Sequence, residues 1–143
     1  ELKQIVESQE KLKYAENNIL FLGFCSPERL IDEMCQSTMY VHTAYIENSP
    51  NSICEAQMIG MPIISTMVGG IATLVRNGIE GDLIPANDPW QLANAIVELA
   101  KDQSRMKSYS EHSRQHALER HNPDSILQQL LVCYKDLVNN YGK

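Results

Sequence analysis

The sequence is poor in aromatic and basic side chains, and both shortages exclude classes of function. Phe, Trp and Tyr make up 6% of the 143 residues, too few for the stacking platform that single-stranded nucleic acids need. Twelve Lys and Arg stand against 18 Asp and Glu, which gives a formal net charge of −6. Because nucleic acids and anionic membranes attract positively charged proteins, we expect neither as a partner.

Long apolar runs and metal-binding patterns are also missing. No apolar run approaches the roughly 20 residues of a membrane-spanning helix, so no membrane contact is expected. The sequence has no Asp-x-Asp and no cysteine spacing of the zinc type, so we expect neither a metal nor a cofactor. The four cysteines, at positions 25, 35, 54 and 133, indicate reduced thiols in a cytoplasmic protein.

Mostly apolar segments alternate with helical patterns along the chain. We predict strands at residues 19–23, 39–44, 63–66 and 82–84, and a polar helix at residues 2–14. Further helices are predicted at residues 27–36, 50–59, 71–76, 89–100, 104–119 and 123–139, the last with an apolar stripe. This alternation is typical of an α/β fold, with a parallel sheet covered by helices on both faces.

Two glutamates, Glu47 and Glu55, stand with seven residues between them. A helix is predicted to begin between them, with Ser49 as its N-cap and Pro50 as its first residue, and to stop at Gly60. A helix N-terminus offers N–H groups to a phosphate, and carboxylates beside it can accept hydrogen bonds from a diol. A phosphate between hydroxyl-bearing groups describes a sugar nucleotide.

Three glycine-rich motifs follow the second glutamate. They are Gly60-Met61-Pro62-Ile63, Gly69-Gly70 and Gly78-Ile79-Glu80-Gly81. With the two glutamates and Ala56, this order resembles the donor-binding domain of the retaining group 1 glycosyltransferases, which have the GT-B fold. The similarity extends over about residues 19–102. One departure is Asp82, where that family usually has a hydrophobic residue.

The resemblance implies roles for both glutamates. Glu47 matches a family glutamate that contacts hydroxyls of the donor sugar, and it is our candidate catalytic residue near the anomeric carbon. Glu55 matches the glutamate that holds the ribose diol. The competing interpretation is that both are ordinary surface acids. His42, on a predicted strand, is interpreted as a packed or partly exposed histidine.

The other donor-binding candidates are two short runs. The resemblance places Ser49, Asn51, Ser52 and Ile53 near the sugar and diphosphate, where backbone N–H groups do the binding and Pro50 cannot donate. Alternatively, Asn and Ser here only cap the helix. Gly23 and Phe24 match an edge that meets the nucleobase, or else form an ordinary turn. Gly69-Gly70 is predicted to serve a tight turn rather than a ligand.

The resemblance also implies a truncated protein. Residues 1–143 are expected to form part of the C-terminal, donor-binding half of a GT-B enzyme, with a Rossmann-like parallel sheet. Its first strand-helix units, with an Arg and a Lys for the diphosphate, and its N-terminal acceptor domain are expected to be absent. The intact enzyme would transfer a hexose from a UDP- or GDP-sugar to a glycan or lipid-linked acceptor in polysaccharide biosynthesis. The fragment alone is expected to be inactive.

Two other functions and two arrangements of the sheet stay open at this point. A non-enzymatic nucleotide-binding or regulatory module of the same fold is one alternative, and a flavodoxin-like signalling domain is the other. The sugar, base and acceptor are not determined by the sequence. The predicted strand at residues 19–23 either docks beside residues 39–44 or pairs with a second copy, and we favour the homodimer because the strand is apolar throughout.

Overall fold

The computed structural model describes residues 18–141. The chain divides into two compact units, Glu1–Glu33 and Met34–Lys143, and each is described by itself. In the first unit an irregular segment leads into helix α1, Pro27–Cys35. The Ser26 hydroxyl accepts a hydrogen bond from the Arg29 N–H at 3.4 Å, as the Ser-Pro helix start predicts.

The predicted strand at residues 19–23 is wrong. These residues form no strand, and the Leu20 side chain is 74% exposed. A strand needs a neighbour to pair its N–H and C=O groups, and no segment of residues 18–141 pairs with this one. The pairing of this segment with a second copy in a homodimer stays a prediction. The predicted helix at residues 2–14 lies outside the described residues.

The second unit contains a parallel sheet of three strands, Tyr40–His42 (β1), Ile63–Thr66 (β2) and Gly81–Ile84 (β3), in the order β1-β2-β3. Tyr40 pairs with Ile63 in β2, and Ile63 pairs with Gly81 in β3. The strands and the helices between and after them are β1 (Tyr40–His42), α2 (Asn51–Ile59), β2 (Ile63–Thr66), α3 (Ile71–Leu74), β3 (Gly81–Ile84), α4 (Pro89–Lys101), α5 (Gln103–Arg120) and α6 (Pro123–Tyr141). The α/β class with a parallel sheet is confirmed.

The two faces of β2 carry separate cores. Ile63 and Ile64 are both fully buried, and successive strand residues point to opposite faces. Ile63 packs with Ile53 of α2, whereas Ile64 packs with Leu99 of α4 and Tyr109 of α5. Helices α2 and α4 therefore cover opposite faces of the sheet, and the carboxyl edge of the strands lies between them.

A buried polar network joins α2 to the end of α5. Gln57 is fully buried and donates to the Leu74 carbonyl at 2.9 Å. Arg120 donates to the Gln57 side-chain oxygen at 2.7 Å and to the same Leu74 carbonyl at 3.0 Å. Because the Arg120 guanidinium and the buried Gln57 amide are joined by a hydrogen bond, this network holds α2 against α5.

The apolar stripe predicted for the last helix is exposed. No side chain of α6 is buried, and the exposed apolar residues include the predicted Ile126, Leu130, Tyr134, Leu137 and Val138. No element among residues 18–141 covers that stripe. A helical spacing of apolar residues therefore does not by itself show that these residues are buried. Within the same residues, no helix is both long and apolar enough to cross a membrane.

Asp82, which departs from the family pattern, joins β3 to α5. One of its oxygens accepts from the Tyr109 hydroxyl at 2.8 Å, and the other from Arg105 at 3.1 Å. The Arg105 guanidinium also lies 5.6 Å from the centre of the Tyr109 ring. Both oxygens of the half-buried Asp82 carboxylate thus accept a hydrogen bond, so this departure from the family pattern has a structural role.

The Tyr109 hydroxyl gives the unit a measurable response to alkaline pH. Burial first, and then the hydrogen bond and charge of Asp82, raise the pKa of Tyr109 from its ordinary 10 to about 12. The folded state therefore holds the phenolic proton more tightly than the unfolded state. The resulting stability is present below about pH 10 and is lost as the pH rises towards about 12.

We expect the free energy of unfolding of the wild type, minus that of Tyr109→Phe, to fall over this pH range. Denaturant titrations of both proteins from about pH 8 to pH 12 measure the difference. The subtraction removes the titration of other tyrosines and of lysines. A difference that stays constant with pH would contradict the assigned pKa.

Candidate functional site

The loop after β1 holds the carboxylate of Glu47 in a defined orientation. One oxygen accepts a hydrogen bond from the Asn48 N–H at 2.9 Å. The other lies 3.7 Å from Nε2 of His42. The Glu47 side chain is 31% exposed, so a ligand can approach the second oxygen.

His42 lies beside Glu47 and is partly exposed, as the sequence interpretation expected. It ends β1, and its ring stacks on Tyr40 with 6.2 Å between the ring centres. Its buried Nε2 has no hydrogen-bond partner among residues 18–141 and faces Glu47. In the sequence, His42 lies at the carboxyl end of a predicted strand, five residues before Glu47. Strand ends at this edge carry ligand sites in α/β proteins.

The N-terminus of α2 lies between the two glutamates in the chain. Pro50 is its N-cap, with an extended backbone (φ −72°, ψ 123°) and no side-chain cap. The predicted cap at Ser49 is therefore wrong by one residue, because Pro50 itself takes the non-helical conformation that an N-cap requires. No side-chain oxygen blocks the first turn.

Two of the three predicted backbone donors are available. The Ile53 N–H donates to the Pro50 carbonyl at 3.2 Å, and its side chain is fully buried in the core. The N–H groups of Asn51 and Ser52 meet no acceptor among residues 18–141. Two such N–H groups at the positive end of the helix dipole can bind an anion.

Glu55 lies on α2, just beyond its first turn. Its side chain is exposed, and no hydrogen bond or ion pair engages it within residues 18–141. Glu47 and Glu55 thus offer acceptor oxygens on either side of the free N–H groups in sequence. This combination of one anion position and two carboxylates can bind a molecule that carries both phosphate and hydroxyl groups.

The glycine pair Gly69-Gly70 supports the Glu47 loop. The Gly70 N–H donates to the Asn48 carbonyl at 2.8 Å, and the pair forms the predicted turn. A Cβ on Gly69 would lie 1.6 Å from the Glu47 carbonyl oxygen, and one on Gly70 2.2 Å from that of Asn48. Gly69 also has a left-handed backbone, φ 50°. Only glycine permits this approach.

Gly23 and Phe24 belong to the first unit. Gly23 has a left-handed backbone, φ 65°, and the Phe24 side chain is fully exposed. Their assigned contact with a nucleobase stays a prediction. Among residues 18–141, no group of three or more His, Cys, Asp and Glu side chains could hold a metal ion.

Comparisons with known proteins cover most of the chain. Residues 1–116 match the family described as "Glycosyl transferases group 1". N-acetyl-alpha-D-glucosaminyl L-malate synthase of Bacillus anthracis is 25% identical over 127 residues, which are 89% of this chain and 33% of that protein. A D-inositol 3-phosphate glycosyltransferase of Corynebacterium urealyticum is 32% identical over 119 residues, 83% of this chain and 28% of that protein.

Solved structures show the same fold. HepE from Anabaena in complex with UDP is similar with a TM-score of 0.82 and 26% identity, over 95% of this chain and 37% of that one. The same protein with UDP-glucose gives a TM-score of 0.80. Sucrose-phosphate synthase from Thermosynechococcus elongatus gives 0.82 with 25% identity, over 96% and 34%. The chain spans about a third of the length of these relatives.

Proposed function

The chain belongs to the group 1 glycosyl transferases, and on this premise we propose that it is the nucleotide-sugar-binding part of a retaining glycosyltransferase. The observation that carries the proposal is the open N-terminus of α2, where the Asn51 and Ser52 N–H groups lack acceptors within residues 18–141. Glu47 and Glu55 flank it in sequence. Both features suit a diphosphate that bears a sugar on one side and a ribose on the other.

The proposed donor is a UDP-hexose. HepE, the structural relative with 26% identity, is described in complexes with UDP and with UDP-glucose. In the proposal, the α2 N–H groups bind the diphosphate and Glu55 accepts hydrogen bonds from the ribose diol. Glu47 accepts hydrogen bonds from hydroxyl groups of the hexose. Nε2 of His42 lies 3.7 Å from the Glu47 carboxylate.

The proposed reaction is a substitution at the anomeric carbon. The bond from this carbon to the diphosphate oxygen breaks, and a bond to an acceptor hydroxyl oxygen forms with the anomeric configuration retained. The acceptor proton passes to the departing diphosphate. Positive charge develops on the sugar ring in the transition state, and the Glu47 carboxylate is placed to stabilise it. The acceptor is proposed to be a glycan or a lipid-linked glycan.

The chain is expected to bind UDP with a dissociation constant on the order of 1 mM, which corresponds to about 4 kcal/mol. Two N–H groups and one carboxylate support weak binding only. A charged hydrogen bond contributes about 1.5–3 kcal/mol, so Glu55→Gln, which makes the acceptor neutral, should weaken binding about tenfold. Isothermal titration calorimetry measures both constants.

Glu111→Gln is the matched control for this titration. Glu111 is an exposed helical glutamate that lies 3.8 Å from Lys107 on α5, and its replacement should leave UDP binding unchanged. Equal affinity of wild type and Glu55→Gln would remove Glu55 from the site. The absence of any heat of binding up to about 10 mM UDP, which would limit the binding free energy to under about 3 kcal/mol, would contradict the proposed function.

A further inference from the structure

His42 ends β1 on the face of the sheet that α2 covers. Tyr40 and His42 are two residues apart on this strand, so their side chains point to the same face. Tyr40 packs against the core that contains Ile53 of α2, and the rings of Tyr40 and His42 are stacked. His42 therefore lies on the side of the sheet where the N-terminus of α2 is proposed to bind the donor.

The Nε2 atom of His42 is a buried polar atom that needs a hydrogen-bond partner. It is shielded from solvent, and residues 18–141 offer it no partner at hydrogen-bond distance. Buried polar atoms in folded proteins are nearly always hydrogen-bonded, so an exception calls for an explanation. Because the atom is shielded, a sugar that approaches from solvent does not reach it. We therefore expect its partner to be a group of the protein.

Glu47 carries an acceptor just beyond hydrogen-bond distance from this atom. Its Oε2 lies 3.7 Å from Nε2 of His42, whereas an N–H···O bond spans about 2.7–3.2 Å. A movement of about 0.5–1 Å closes this gap. Hydrogen bonds in active sites are often long before the substrate binds and shorten in its complex. The pair is therefore placed to form its hydrogen bond when a ligand engages Glu47.

We propose that His42 is a positioning residue for the donor sugar, and that its Nε2–H donates to Oε2 of Glu47 when the hexose binds. The inference rests on the proposed function, in which Glu47 accepts hydrogen bonds from hydroxyl groups of the hexose. The Asn48 N–H already donates to Oε1 at 2.9 Å, so each oxygen then has one donor from the protein. Each also keeps a lone pair for a sugar hydroxyl. A carboxylate held at both oxygens loses less conformational freedom on binding.

This arrangement predicts an effect on the sugar and none on the nucleotide. In the proposed function, UDP binds through the N–H groups of α2 and through Glu55, and it carries no hexose for Glu47. His42 acts only through Glu47 and touches no part of the donor. Removal of the Nε2–H donor should therefore weaken the binding of UDP-glucose and leave the binding of UDP unchanged.

His42→Phe tests this expectation on the whole chain by titration with UDP-glucose and with UDP, followed by NMR. The phenyl ring can still stack on Tyr40, but it has no N–H donor. We expect the dissociation constant of UDP-glucose to rise about threefold, because a contact that acts through Glu47 gives only part of the effect of a charged hydrogen bond. The affinity for UDP should equal that of the wild type, which also shows that the variant is folded.

Two further variants separate positioning from packing. His42→Gln should restore most of the affinity for UDP-glucose, because its side-chain amide offers an N–H donor of similar reach. His112→Phe is the matched control, since His112 is exposed on α5 and should bind both nucleotides as the wild type does. In a Glu47→Ala background, His42→Phe should have no further effect on UDP-glucose, because the two residues act as one unit.

Three results would overturn the inference. They are an unchanged affinity for UDP-glucose in His42→Phe, an equal loss of affinity for UDP and UDP-glucose, and a threefold effect that persists in the Glu47→Ala background. If the wild type binds both nucleotides and one of these results is found, the proposed function stands without the role of His42. If the wild type binds neither nucleotide, the proposed function fails and the inference fails with it.

Discussion

Replacing Glu47 with alanine in the intact enzyme is expected to lower kcat by ten- to a hundredfold with a smaller change in the donor KM. The Glu47 carboxylate accepts a hydrogen bond from the Asn48 N–H at 2.9 Å, and in the proposed mechanism it stabilises charge that develops only in the transition state. Loss of a charged interaction of about 1.5–3 kcal/mol produces a change of this size. Glu55→Ala should instead raise the donor KM by a similar factor, because the ribose diol is bound equally in the ground and transition states.

Steady-state release of UDP from a UDP-hexose measures both parameters. Glu98→Ala is the control, since Glu98 is an exposed helical glutamate that lies 3.4 Å from Lys101 on α4. It should have wild-type constants. Wild-type constants in both Glu47→Ala and Glu55→Ala would remove the glycosyltransferase assignment of these residues. A folded wild type that transfers no hexose would favour the non-enzymatic module.

Gly69→Ala is expected to cost about 3 kcal/mol or more of the free energy of unfolding, an effect at the upper end for single substitutions. The new Cβ would lie 1.6 Å from the Glu47 carbonyl oxygen. Because this oxygen belongs to the backbone, no side-chain rotation can relieve the contact. Either the turn or the Glu47 loop must move. Denaturant unfolding of the chain measures the cost, and UDP titration of the folded fraction shows whether the site is displaced.

Gly78→Ala separates the steric contact from backbone strain. Gly78 also has a left-handed backbone, φ 76°, but a Cβ there meets nothing within 4 Å. Gly78→Ala should lower the free energy of unfolding by about 1–2 kcal/mol, which is the cost of the left-handed conformation alone. If Gly69→Ala were no more destabilising than Gly78→Ala, the Gly69-Gly70 turn would not be what holds the Glu47 loop.

Local signals in the sequence predicted the helix ends well. Gly60 ends α2 with a left-handed backbone, φ 89°, and Asp88 caps α4 through the Gln91 N–H. Both depend on residues within one turn, so the sequence contains all that is needed. The predicted and observed bounds of β2 agree, because four consecutive buried residues are typical of a strand covered on both faces.

The failures have a different cause, since they concern partners far away in the chain. The apolar run at residues 19–23 predicted a strand, but a strand also needs a neighbour. The contact of Arg120 with Gln57 spans 63 residues, and no local pattern indicates it. The proximity of His42 to Glu47 depends on how the loop after β1 folds back, and Gly69-Gly70 decides that from more than 20 positions away.

The most direct test of the account is residue-resolved NMR of the chain titrated with UDP. The amide signals of Asn51 and Ser52 should show the largest shifts, with smaller shifts for Glu47 and Glu55, and all should follow one dissociation constant on the order of 1 mM. Shifts that leave residues 47–55 unchanged and appear elsewhere would place the nucleotide away from the α2 N-terminus. That result would contradict the central claim that this helix end and its two glutamates form the donor site.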